Sequence, residues 1–139
     1  MSESFIGAAM GDAPEEGLCE EGRYDLRIIN RDLKDSKQGD RKVLHVMMGV
    51  EGVPDVAPLM HFVVFPNQDD WENEREMAKN FIRRAKRFFY AFNVSWQAAG
   101  FEVSELDGAT ASDIMVTIEV GDDKEERNVA KFPRIGAGM

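Results

Sequence analysis

A small, mainly β barrel of five strands with one helix, in the order β-β-β-α-β-β, is the fold class that this sequence predicts. Three observations predict it. Short runs with period-two alternation of apolar and polar residues stand on both sides of a single longer run with helical spacing. Gly, Pro, Asn and Asp clusters separate these runs at short intervals, as turns require. At 139 residues the chain suits one domain with its own core, held without disulfides or metal.

The elements follow in order. Residues 1–21 read as an acidic, disordered arm. Glu3, Asp12, Glu15, Glu16, Glu20 and Glu21 occur there without a base, and supply −6 of the −9 formal net charge. The segment is rich in Gly, Ala and Ser and lacks sustained periodicity. Two readings stay open: a solubilising leader, or a short linear motif in which Phe5, Ile6 and Met10 dock on a partner or a neighbouring subunit. The ordered domain is expected over residues 22–135, with a frayed C-terminus at 136–139.

Tyr24, Leu26 and Ile28 alternate with Arg23, Asp25 and Arg27, the signature of a half-buried first strand. A polar connection from Leu33 to Lys42 contains Gly39, which can supply a positive φ. In the second strand, from Val43 to Val50, Leu44, Val46, Met48 and Val50 share one face and Val43, His45 and Met47 the other. Gly52, Pro54 and Pro58 mark a loop. The third strand, Leu59 to Phe65, is apolar almost throughout, so periodicity leaves its buried face open. If His61 faces out, Leu59, Val63 and Phe65 share its side and Met60, Phe62 and Val64 fill the core.

Asp69 and Asp70 are the helix cap candidates, and Glu72, Glu74 and Glu76 place negative charge at the positive end of the helix dipole. Met77, Ala78, Phe81, Ile82, Ala85, Phe88, Phe89 and Phe92 then fall within an arc of roughly 140° at helical spacing. Trp71 shares that arc and is expected in the core or in packing at the helix entry, not as a binding aromatic. An irregular connection with Trp96 leads to a fourth strand, in which Ile114, Val116, Ile118 and Val120 alternate with polar partners. A turn at Gly121-Asp122-Asp123 leads to a short fifth strand, Arg127 to Phe132, ended by Pro133. This order is that of the OB-fold, a five-stranded Greek-key barrel whose second and third strands and flanking loops bind oligonucleotides or oligosaccharides.

Four stretches carry a resemblance in their order and spacing: Glu21-Gly22-Arg23-Tyr24, Asp35-Ser36-Lys37-Gln38-Gly39-Asp40, Leu106-Asp107-Gly108, and Glu126-Arg127-Asn128-Val129-Ala130-Lys131-Phe132. Over residues 20 to 135 the chain resembles a bacteriophage-type family of OB-fold single-stranded DNA-binding proteins, often described only as a domain of unknown function. The resemblance implies a sequence-tolerant protein that coats and protects single-stranded DNA in replication or recombination. Two features depart from such proteins: the loop from Glu51 to Pro58 lacks basic residues, and the acidic segment stands at the N-terminus instead of the C-terminus.

Single-strand binding needs cations for phosphates and aromatic platforms for bases. The candidate contacts are Arg27 and Arg31 on the first strand and Lys34, Lys37, Arg41 and Lys42 around its turn. His45 and His61 are expected on adjacent strands of one outer surface, with Phe65 beyond them, and Arg127, Lys131 and Phe132 complete a rim. The alternatives are a solvated hairpin balanced by Asp32, Asp35 and Asp40, and ordinary packing for Phe65 and Phe132.

Residues 77 to 101 hold Lys79, Arg83, Arg84, Lys86 and Arg87 and no acid. Lys79, Arg83 and Arg87 stand at i, i+4, i+8, where like charges destabilise a helix by about a few tenths of a kcal/mol per pair. The helix dipole and acids between Glu102 and Asp107 are one expected offset; the other is a secondary phosphate path over Lys79, Arg83, Lys86 and Arg87 with Tyr90. The hairpin is expected to contribute more to binding than this helix face.

Other classes fit less well. Cys19, His45 and His61 lack the paired spacing of a zinc site, and no metal or cofactor is expected. The sequence has no phosphate-cradling glycine loop, serine elbow or His-Glu metal motif, and the Asp122, Asp123, Glu125, Glu126 run reads as a solvated turn; an enzyme is not expected. The rival reading is a noncatalytic OB-fold protein-interaction module of a replication or recombination assembly. A single cysteine, no membrane-length apolar run and no signal-like leader predict a soluble cytoplasmic protein, in the host cell's cytoplasm if phage-encoded. The expected partners are single-stranded DNA and, through the arm, replication or recombination proteins, with a homo-oligomer left open.

Overall fold

The computed structural model describes Gly7, Gly11, residues 13–97 and residues 100–136. Phe5, Ile6 and Met10 lie outside the described residues.

Five antiparallel strands form one sheet: β1 (Gly22–Asp35), β2 (Lys42–Val50), β3 (Leu59–Val64), β4 (Thr110–Val120) and β5 (Glu126–Lys131), in the spatial order β3-β2-β1-β4-β5. The helical region stands between β3 and β4, as α1 (Gln68–Asn73) and α2 (Arg75–Ala91). Curvature brings Cα atoms of β3 and β5 within 8 Å of each other, but among the described residues no ladder joins them. The sheet therefore remains open along that seam.

The alternation read from the sequence decides the core. Leu26 and Ile28 of β1, Leu44, Val46 and Met48 of β2, and Ile114 and Val116 of β4 are buried. Helix α2 lays Ala85, Phe88 and Phe89 on this face, followed by Phe92 at its C-cap. Each such large side chain contributes about 1.5–3 kcal/mol by leaving water. The rings interlock: Phe88 lies 5.0 Å from Phe92 and 5.3 Å from Phe132 between centroids.

The single helix of the sequence reading is divided at Glu74 (φ −134°, ψ 53°). Its N-cap is Asn67, not Asp69 or Asp70. The Asn67 side chain accepts from the Asp70 N–H at 2.8 Å, and the Asp70 carboxylate accepts from the Asn67 N–H at 3.0 Å, a reciprocal capping box. Asp70 is only 2% exposed, because Arg41 also donates to both of its oxygens at 2.7 Å. Trp71, expected in the core or in packing at the helix entry, is 36% exposed at the rim of a groove and so is not a core residue.

Three further differences matter for the site. A bulge between Ile28 and Asn30 inserts Ile29 into β1, so that Arg31 faces Val46 in the register while Arg27 faces Gly49. Arg27 and Arg31 thus stand on opposite faces of the sheet, since one extra residue reverses every later side chain. On β3, Leu59 and Val63 are buried whereas Met60 and Phe62 are exposed, so the expected core set is inverted. The arm also joins the domain earlier than Gly22. Gly17 bridges Val56, and Cys19 is buried with its N–H donating to Asn128 Oδ1 at 2.9 Å. Among the described residues, no helix is long and apolar enough to cross a membrane.

Candidate nucleic-acid interface

The outer face of β1, β2 and β3 carries the largest apolar exposure near the predicted site. Phe62 is 53% exposed, Ile29 53% and Met60 43%. Register assembles them: His45 pairs with Phe62, and Met47 with Met60. Ile29 lies over Gly49, where a Cβ would come 3.6 Å from its Cγ2. The His45 and Phe62 rings meet edge to face at 4.8 Å. This is an exposed apolar cluster on the sheet, a platform with the shape and chemistry on which flat apolar groups can rest.

His61 is not part of it. It pairs with Val46 and faces inward, stacked on Phe88 at 5.2 Å and edge-on to Phe132 at 4.9 Å. Burial lowers its pKa to about 4, so the imidazole is neutral at pH 7. The expectation of two outward histidines on adjacent strands fails on parity, because residues paired across β2 and β3 share a face and His45 is paired with Phe62. Phe65 lies elsewhere, stacked on Phe101 at 5.5 Å in a groove of about 610 Å³ with Trp71, Ile82 and Trp96. Phe132 closes the open seam from inside and is half-buried.

The hairpin cations are engaged with carboxylates. Arg27 donates to Glu51 at 2.6 Å, Arg31 to both oxygens of Asp107 at 2.9 and 3.2 Å, and Lys42 to Asp35 at 2.5 Å. Lys34 lies 3.5 Å from Asp32. The Arg31 guanidinium holds the Asp107 carboxyl below its ordinary pKa, and Arg41 with the Asn67 N–H brings Asp70 down to about 2. Lys37 alone among them has no carboxylate partner among the described residues. On the last hairpin, Arg127 pairs with Asp123 at 2.6 Å and Lys131 with Glu119 at 2.5 Å.

Helix α2 differs. Lys79 meets Glu76 at 3.3 Å and Arg83 donates to the Asn80 amide at 2.9 Å. Arg84, Lys86 and Arg87 have no carboxylate within ion-pair distance among the described residues. The expected offset by acids between Glu102 and Asp107 is absent from these pairs, since Asp107 is taken by Arg31. Tyr90 is 42% exposed beside Trp96. Arg84, Arg87 and Lys131, with Phe62, Phe81 and Phe132, line a groove of about 470 Å³ between α2 and the facing edges of β3 and β5. Among the described residues no acidic side chain lines it.

Sequence reasoning missed Phe62, Met60 and Arg84. The outward histidine His45 was the available signal for the first two, since strand pairing fixes their parity. Nothing in the sequence separates Arg84 from the neighbouring cations of the helix. Among the described residues no group of three or more His, Cys, Asp or Glu side chains could hold a metal. No protein-family model matches the chain, and no curated protein matches it.

Proposed function

We propose that this chain is a sequence-tolerant single-stranded DNA-binding protein on an OB-type barrel, coating and protecting DNA in phage-type replication or recombination. The observation that carries the reading is the exposed platform of Ile29, Met60 and Phe62, with Phe62 paired to His45, on the outer face of three consecutive strands. OB barrels present bases to that region of the sheet. The sheet order supports the fold: β4 returns beside β1 after a three-strand meander, the Greek-key pattern, and β5 then faces β3. Binding requires no catalytic group; bases stack on rings and apolar side chains while cations hold the phosphates.

A noncatalytic protein-interaction barrel is the second reading. What favours it is the hairpin, whose cations other than Lys37 already have carboxylate partners, leaving an apolar face with a largely neutralised rim. Titration with oligo-dT and with duplex of equal length, at several salt concentrations, decides between them. The DNA reading expects preference for oligo-dT and affinity falling with salt by a log–log slope of about −0.7 per phosphate contacted. No binding, or equal affinity for duplex, removes it.

A further inference from the structure

Phosphate neutralisation poses a problem for the platform, because the hairpin cations other than Lys37 are already paired with carboxylates. Releasing Arg27 from Glu51 or Lys42 from Asp35 to meet a phosphate exposes a carboxylate beside the same anion, and little charge is gained. The net charge of −9 makes this more severe. Available positive charge is concentrated on α2.

Arg84 and Arg87 stand three residues apart, so their side chains leave the same side of the helix. Both line the groove between α2 and the β3 and β5 edges. Arg87 is half-buried, and neither guanidinium has a carboxylate partner among the described residues. A cation partly withdrawn from water without a counter-ion is unfavourable, and an anionic ligand relieves that. The planar guanidinium fork matches two phosphate oxygens at once, which suits Arg to this role better than Lys.

The groove adjoins the platform at β3, since Phe62 is among the groove's lining residues and is exposed on the outer face. At about 470 Å³ the groove is in the range of small-ligand clefts, so it can take a nucleotide-sized stretch of backbone. Lys131 stands across from the arginines on β5; its pairing with Glu119 leaves it a weaker contributor.

We infer that this groove is a phosphodiester channel, in which Arg84 and Arg87 bind the backbone of a single strand whose bases rest on the His45–Phe62 platform. The inference rests on the single-strand reading above. It places the principal phosphate path along α2 and the β3–β5 seam and not along the β1–β2 hairpin.

Three variants of the full chain test it by fluorescence anisotropy with labelled oligo-dT over a range of salt: R84Q/R87Q, R84K/R87K and F62A. R84Q/R87Q is expected to weaken binding by about tenfold or more at low salt, since hydrogen bonds to charged groups are the strong ones. Its salt slope should shrink by about 1.4, two contacts at roughly 0.7 each. R84K/R87K should keep most of that slope while losing affinity through the lost fork. F62A should weaken binding with the slope unchanged, because stacking releases no counterions. Thermal melting confirms that each variant is folded. Wild-type binding with an unaltered slope in R84Q/R87Q overturns the channel and leaves the single-strand reading standing; failure of the wild type to bind oligo-dT removes both.

Discussion

In the β1–β2 hairpin, Arg27, Arg31, Lys34, Arg41 and Lys42 each lie against a carboxylate, whereas along α2 Arg84, Lys86 and Arg87 lie against none among the described residues. The two regions look alike as strings of basic residues. They differ in what the topology brings to them. The hairpin meets acids of β1 itself, Glu51 just after β2, Asp70 of α1 and Asp107 before β4, while α2 turns Arg84 and Arg87 toward a groove walled by residues of β3 and β5. A cation in the first region holds structure together, and one in the second is available to a ligand.

The largest expected effect sharpens that division. Arg41 and Asp70 form a bidentate pair in which the acid is almost wholly buried. Arg41→Ala leaves that charge without its partner and should lower the urea midpoint clearly, whereas Arg84→Ala should leave it almost unchanged. Urea denaturation of the two variants measures both; equal losses would erase the distinction. The same pair sets an acid limit. Asp70 has its folded pKa depressed to about 2 from 3.8, so its contribution is complete above 3.8 and disappears as pH falls toward 2. In Asp70→Asn that acid-dependent loss should be smaller.

Next in size is the platform. Phe62→Ala should reduce oligo-dT affinity by about 1–3 kcal/mol, the range for one stacked base, with little change in melting temperature because the ring is exposed. A loss of stability without a loss of affinity would place Phe62 in the core after all.

His61 gives a pH effect of the opposite origin to that of Asp70. Its folded pKa, about 4, lies below the ordinary 6.5, so the unfolded chain binds the proton more readily between these values. Stability from this source is full above 6.5 and falls as pH drops toward 4. His61→Phe should flatten that part of the stability profile, measured by denaturation at pH 7 and pH 5, and an unchanged slope would show that the imidazole is not buried. The smallest effect is expected from Lys34→Glu with Lys37→Glu. Affinity for oligo-dT should change less than in R84Q/R87Q, since Lys34 already has Asp32 beside it. A larger loss there would return the phosphate path to the hairpin.

Much of the fold was legible where one face is wet. In β2 the alternation of Leu44, Val46 and Met48 with His45 and Met47 gives its buried side directly, and the apolar arc of α2 gives Ala85, Phe88 and Phe89. It was not legible in β3, where apolar residues fill both faces and only pairing with β2 decides that Phe62 is exposed. A bulge of one residue at Ile29 leaves no mark in composition, yet it turns Arg31 to the other face. The candidate site was legible as residue types and not as an assembly. Which cations are neutralised depends on contacts such as Arg41 with Asp70 and Arg31 with Asp107, separated by 29 and 76 residues.

The open β3–β5 seam has a mechanical consequence. A seam closed by backbone hydrogen bonds yields only when directional bonds break, one after another. This one is filled instead by His61, Phe88 and Phe132, whose dispersion contacts weaken gradually with distance and have little directional demand. Its width is therefore a compliant coordinate of the curved sheet. The walls carrying Phe62 and Lys131 can part or approach without unravelling either strand.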